Sequence, residues 1–175
     1  MTDETYPSSV LRRPSSIVLG LGNPLLGDDG VGWRVAEKCA ERIAGMPNVE
    51  VDCFARGGLS LMERLIGYDR AILIDAINTG GKPTGTVACL RLEELQNPNA
   101  GHLASAHDAT LQTALEMGRA LGAQLPRAVM VVAVEAENVY DFSEELSPLV
   151  AAAVPRAVEL VMTLLGNSML PVPLA

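Results

Sequence analysis

The chain has 175 residues, 49% hydrophobic but only 3% aromatic, and its 13 basic and 21 acidic side chains give a formal charge of −8. That length suits one domain whose core needs no disulfide or metal staple, and the acidic balance argues against nucleic acid or an anionic membrane as partner. A core so poor in aromatics must be built from Val, Leu, Ile and Ala, which favours helices packed on a parallel sheet.

Residues 1–15, with Pro7 and Pro14 among several Ser and Thr, read as a loose N-terminal tail with no secretory leader. The next stretch, Ser16 to Gly32, organises the rest. Ile17 to Gly20 is an apolar run without alternation, the pattern of a strand covered on both faces. A turn rich in glycine follows, with Gly20, Gly22, Gly27 and Gly30 around Pro24. Strand, glycine turn and helix start suggest a dinucleotide site, but the third glycine is missing and Asp28-Asp29 stand where a pyrophosphate would sit. No nucleotide cofactor is therefore expected. From position alone the acidic pair serves equally well as a cap on the helix that follows.

That helix places Val31, Val35, Cys39 and Ile43 on one side and Glu37, Lys38, Glu41 and Arg42 on the other, ending near Gly45 and Pro47. Val49 to Phe54 alternates and predicts a second, less buried strand. The Gly57-Gly58 turn leads into a short helix carrying Leu59, Met62, Leu65 and Ile66. Ala71 to Ala76 is a third strand, apolar until Asp75. After a loop with Pro83, Thr86 to Leu90 predicts a fourth strand; with no helix between it and the third, it is expected to be an antiparallel edge strand. Ser105-Ala106-His107-Asp108 leads into a helix with Leu111, Leu115, Met117 and Leu121, and Ala128 to Val134 is the fifth strand. An acidic loop, Glu135 to Glu145, precedes Ser147-Pro148, a helix start with proline in the first position. The last helix runs to about Leu165, with a possible kink at Pro155, and residues 167–175 read as a C-terminal tail. Its apolar run is too polar and too short for a membrane span.

The expected fold is α/β: a single three-layer αβα domain over residues 16–166, with a twisted, mostly parallel five-stranded sheet, one antiparallel edge strand and helices on both faces. Cys39, Cys53 and Cys89 have no Cys-x-x-Cys spacing and read as reduced, buried core residues of a cytoplasmic protein. With no exposed apolar helix face in the pattern, a monomer is expected.

Ligands of such sheets gather at the carboxyl ends of the strands. Asp29 follows the first strand and Asp75 closes the third, so both belong to that edge. If His107 also reaches it, two carboxylates and an imidazole form a mixed O/N set suited to a divalent transition metal such as nickel, zinc or manganese. His102 competes for the same role, and Asp75 could instead bond to the loop after it. No Gly-x-Ser-x-Gly elbow and no His-Glu-x-x-His helix is present.

Taken in order, Gly20-x-Gly22-Asn23-x-Leu25-x-x-Asp28-Asp29-Gly30-x-Gly32, the Gly57-Gly58 turn, Asp75 and Ser105-Ala106-His107 resemble the hydrogenase maturation proteases. These endopeptidases trim a C-terminal extension from the large subunit of NiFe hydrogenases. The resemblance spans Ile17 to about Gly166. It implies that Asp29, Asp75 and His107 are the catalytic and metal-binding residues, and that they recognise nickel already inserted in the large-subunit precursor, the expected partner. The family more often carries Glu at the position of Asp29, and its glycine turn, preceded here by Arg56, is linked with substrate choice.

Overall fold

The computed structural model describes residues 15–95 and 110–167. The chain runs β1 (Ser16–Leu21), α1 (Val31–Ile43), β2 (Val49–Phe54), α2 (Gly58–Arg64), β3 (Arg70–Ile77), β4 (Val87–Arg91), α3 (Leu111–Ala120), β5 (Ala128–Glu135) and α4 (Pro148–Gly166), with short 3-10 turns at Gly27–Gly30 and Leu92–Glu94. The five strands form one sheet in the order β2-β1-β3-β5-β4. All neighbours are parallel except β4, which pairs antiparallel with β5 along one edge. This is the expected α/β architecture. All but Ser15 and Asn167 of the tails expected at 1–15 and 167–175 lie outside the described residues.

The path explains the layers. From β1 the chain steps outward to β2 and then back past β1 to β3. Right-handed crossovers in opposite directions put their helices on opposite faces. On one face α1 and α4 cover Val18, Ile72, Ile74, Val132 and Val134. On the other, α2 and α3 cover Ile17, Leu19, Leu21, Leu73 and Val131. β1 is thus buried along its whole length, which is why its sequence lacks alternation. β2 keeps alternation because it lies on an edge and is mostly half-buried. Its Val49, Val51 and Cys53 pack against the α1/α4 core, while Glu50 and Asp52 pair with Arg64 of α2.

At the first turn of α1, contact with the sheet is made by backbone. A Cβ on Gly20 would lie 2.3 Å from the Gly32 carbonyl oxygen, and one on Gly32 would lie 2.2 Å from the Leu21 oxygen and 2.5 Å from the Ile74 oxygen. Only glycine at both positions lets the first turn of α1 rest on the ends of β1 and β3.

Two expectations need correction. Of the three cysteines only Cys39 is buried; Cys53 is half-buried and Cys89 is exposed, because β2 and β4 are edge strands. α4 is 19 residues long and by length and composition alone apolar enough to cross a membrane. The stripe Val150, Ala153, Ala157, Val158, Val161 and Leu165 is nevertheless buried in the α1/α4 core, while Arg156 and Glu159 face outward. The helix continues through Pro155, which lies on the exposed side.

Candidate active site

Strand order reverses direction between β1 and β3, and in open α/β sheets the crevice outside the carboxyl ends at such a point is where ligands bind. β1 ends at Leu21, and Gly20 is registered with Ile74, so Asp75 stands one position beyond the last registered pair, beside the end of β1. On its other side Asp75 is registered with Ala133 of β5. By strand alternation it shares the face of Leu73 and Ile77, toward α2 and α3. It is fully buried.

Asp29 reaches the same edge by a tight reversal. Gly22 leaves β1 at φ 115°, a left-handed conformation that disfavours any side chain. The chain then bends through the Asn23 side chain, which accepts the Leu25 amide at 3.0 Å, and through the Leu26 amide bonded to the Asn23 carbonyl at 3.1 Å. The Gly27–Gly30 turn brings the Asp29 carbonyl to 1.9 Å, and its carboxyl carbon to 3.6 Å, from the position a Cβ on Gly22 would occupy. The Asn23 amide donates to Asp29 Oδ2 at 2.7 Å. Asp29 is 6% exposed and points back over the end of β1.

Asp28 does different work. Its side chain is fully buried and accepts the Ser147 amide at Oδ1 (2.7 Å) and the Ser147 hydroxyl at Oδ2 (2.9 Å). Its own amide donates to the Asn138 carbonyl at 3.0 Å, and the Gly27 amide donates to the Ser143 carbonyl at 2.7 Å. Asp28 is thus a strut between the glycine turn and the start of α4. Neither acid caps the adjacent α1, whose start has no side-chain cap bond; Asp28 instead accepts from Ser147, the N-cap residue of α4.

Glu135 is a second strut, which the sequence reading placed in the acidic loop. It is buried at the end of β5 and accepts the Thr79 amide (2.7 Å), the Thr79 hydroxyl (2.9 Å) and the Gly80 amide (3.0 Å), fixing the loop that leaves β3. Its signal, an acid closing an apolar strand, is the one that singled out Asp75. The buried charged residues among the described ones are Asp28, Asp29, Asp75 and Glu135, and all four lie at this edge. Buried carboxylates are costly unless donors surround them; Asp28 and Glu135 meet that cost with the struts themselves.

His107 and His102 lie outside the described residues, before Thr110, whose hydroxyl caps α3. Among the described residues no group of three His, Cys, Asp or Glu side chains is arranged to hold a metal ion. The structure therefore brings Asp29 and Asp75 to one edge and leaves the place of the expected third ligand unassigned.

A family model described as hydrogenase maturation protease matches residues 33–164. That match begins after Asp29 and takes in Asp75 and His107. The hydrogenase 2 maturation protease of Escherichia coli K12 is 30% identical over 152 residues, covering 87% of this chain and 91% of that protein. The hydrogenase expression/formation protein HoxM of Azotobacter vinelandii is 28% identical over 157 residues, covering 90% and 75%. Among solved structures, the hydrogenase maturating endopeptidase HybD from E. coli superposes with a TM-score of 0.70 at 26% identity, over 87% of this chain and 93% of that one. The NiFe hydrogenase maturation protease HybD from Thermococcus kodakarensis gives 0.66 at 27%, over 85% and 97%.

Proposed function

Because the chain belongs to the hydrogenase maturation protease family, a family of peptide-bond hydrolases, we propose that it removes the C-terminal extension of a nickel-loaded NiFe hydrogenase large-subunit precursor in the cytoplasm. In this reading the nickel arrives with the substrate as the recognition element, and Asp29, Asp75 and His107 complete its coordination. The observation that carries the proposal is the pair of buried carboxylates, Asp29 and Asp75, flanking the point where strand order reverses.

The donor set fits the task. Two carboxylates and an imidazole suit a borderline divalent ion. In this reading the three groups hold a free ion weakly, and an ion already fixed in the precursor supplies the remaining ligands. Recognition of the precursor and inspection of its metal then become one event. Water adds to the scissile carbonyl, the C–N bond breaks, and a proton passes to the leaving amine; a carboxylate at this edge can accept the proton the water loses.

The test is processing of loaded precursor by Asp29→Asn, Asp75→Asn and His107→Ala. Each is expected to lower the rate by about 100-fold or more, the scale of a positioned acid–base group, with unchanged far-UV circular dichroism. Asp29→Glu, the residue more common in the family, is expected to retain activity. Wild-type rates for any of the first three would remove that residue from the site.

A further inference from the structure

The loop between β5 and α4 reads Glu137-Asn138-Val139-Tyr140-Asp141-Phe142-Ser143-Glu144-Glu145. The whole chain has six aromatic residues, and two of them stand here almost wholly in solvent, Tyr140 at 84% and Phe142 at 91% exposed. The other described aromatics, Trp33, Phe54 and Tyr68, are half-buried or buried. In a chain with so few aromatics, these two add almost nothing to the core.

Looseness does not explain their exposure. Ser143 is bonded on both sides to the glycine turn: its carbonyl accepts the Gly27 amide at 2.7 Å and its amide donates to the Leu25 carbonyl at 3.1 Å. Arg34 of α1 donates to the Glu144 carbonyl at 3.1 Å, while Val139 and Leu146 pack against the core. The backbone is pinned and the rings project from it. Pinned aromatics lose little entropy when a partner covers them, which is what a docking surface needs. Leu25, on the turn that carries Asp29, is also exposed, at 51%, and its carbonyl accepts the Ser143 amide of this loop.

The charged side chains of the loop itself are of one sign, and Arg34, the cation bonded to its backbone, is paired with Glu37. Glu137, Asp141, Glu144 and Glu145 are exposed, and no Lys or Arg occurs between Arg127 and Arg156. Among the described residues none of these four has an ion-pair partner. A second copy of this chain, carrying −8 and the same acidic strip, would be repelled, and so would an anionic lipid surface. The complementary occupant carries Lys or Arg beside an apolar side chain.

We infer that the β5–α4 loop is the docking strip for the polypeptide cut at this site: Tyr140 and Phe142 hold an apolar side chain of the substrate, and the four carboxylates hold basic side chains next to it. This rests on the reading that the substrate is a precursor polypeptide. The loop is tied to the glycine turn through Ser143, so the strip and Asp29 keep a fixed distance, and docking sets which bond of the substrate meets the carboxylates.

The test measures binding and cleavage separately, using labelled, nickel-loaded large-subunit precursor from the same cell. Two variants are compared with wild type: Tyr140→Ser/Phe142→Ser, and Glu137→Gln/Asp141→Asn/Glu144→Gln/Glu145→Gln. Each is expected to raise Kd and KM by about tenfold or more, the scale of lost anchor residues, with kcat unchanged. Wild-type KM should rise with added salt, and that of the neutralised variant should not. Unchanged Kd in both variants, or a fall in kcat alone, would overturn the inference, as would a wild-type dimer that the aromatic variant dissociates. Wild-type protein that binds precursor without cutting it would refute the proposed function, while the Kd values of the variants would still decide the strip.

Discussion

Replacing Asp28 by Ala removes both acceptors that join the glycine turn to the start of α4. Two charge-assisted bonds are lost, from the Ser147 amide and hydroxyl, and such bonds contribute about 1.5–3 kcal/mol each. The Ser147 hydroxyl can rotate, so the larger part of the loss falls on the amide at the head of a 19-residue helix. A further ~0.3–1 kcal/mol goes with the negative charge at that helix end. The net expectation is a loss of about 3–5 kcal/mol, large for any single substitution. For a chain of this length each kcal/mol lowers Tm by about 2–4 °C, so the variant should melt roughly 6–20 °C below wild type. Asp28→Asn keeps an oxygen for the Ser147 amide and turns an amide toward the hydroxyl, which can accept from it; about half the loss should return. Urea unfolding and thermal melts followed by circular dichroism measure both. An Asp28→Ala variant within about 0.5 kcal/mol of wild type, the range of an inconsequential surface change, would refute the strut.

Gly20→Ala puts a methyl 2.3 Å from the Gly32 oxygen and 2.7 Å from the Ala36 Cβ; the overpacking should cost about 3 kcal/mol and, by lifting α1 off the sheet, lower cleavage as well, both read in parallel melts and processing assays. Burial alone would raise the Glu50 carboxyl, but hydrogen bonds from Tyr68 and Arg64 outweigh it and hold the group below its ordinary 4.5. A group lowered in the folded state stabilises above its unfolded value and loses that contribution as pH falls through the folded one. Glu50→Gln should therefore flatten the fall in stability below about pH 4.5 and leave its shape near neutrality unchanged, as tested by urea titrations at stepped pH. Burial pushes the Cys39 and Cys53 thiols up to about 11, so at pH 7.5 each holds about 100-fold less thiolate than an ordinary cysteine. Alkylation followed by mass spectrometry should label exposed Cys89 first, Cys53 slowly and Cys39 only on unfolding; prompt labelling of Cys39 in native protein would contradict its burial.

Much of the fold was legible because each strand had one neighbour-imposed pattern. β1 and β3 are covered on both faces and read as unbroken apolar runs; β2 is an edge strand and alternates; β4 lacks a preceding helix and is antiparallel. The placement of Asp29 and Asp75 at one edge was legible because one follows β1 and the other closes β3, and parallel strands carry both to the same carboxyl end. The roles of Asp28 and Glu135 were not, because the partners that define them, Ser147 and Thr79, are 119 and 56 residues away. Adjacent carboxylates look alike in sequence; only the path of the turn sends Asp28 toward α4 and Asp29 back over β1. Cys89 was misread as buried because a short apolar strand gives no sign of which face stays open at an edge. Exposure of Tyr140 and Phe142 was equally hidden, since an aromatic in an acidic loop packs inward or outward according to where the loop is pinned.

The central claim is that this chain cuts a large-subunit precursor only after inspecting its metal. It is tested most directly by the intact mass of the precursor from the same cell, with and without nickel, after incubation with the protein. Loss of a C-terminal fragment from the nickel-loaded form alone is the predicted result. Equal cleavage of both forms would contradict the metal check, and an unchanged mass in the loaded form would contradict the proposed activity on that precursor.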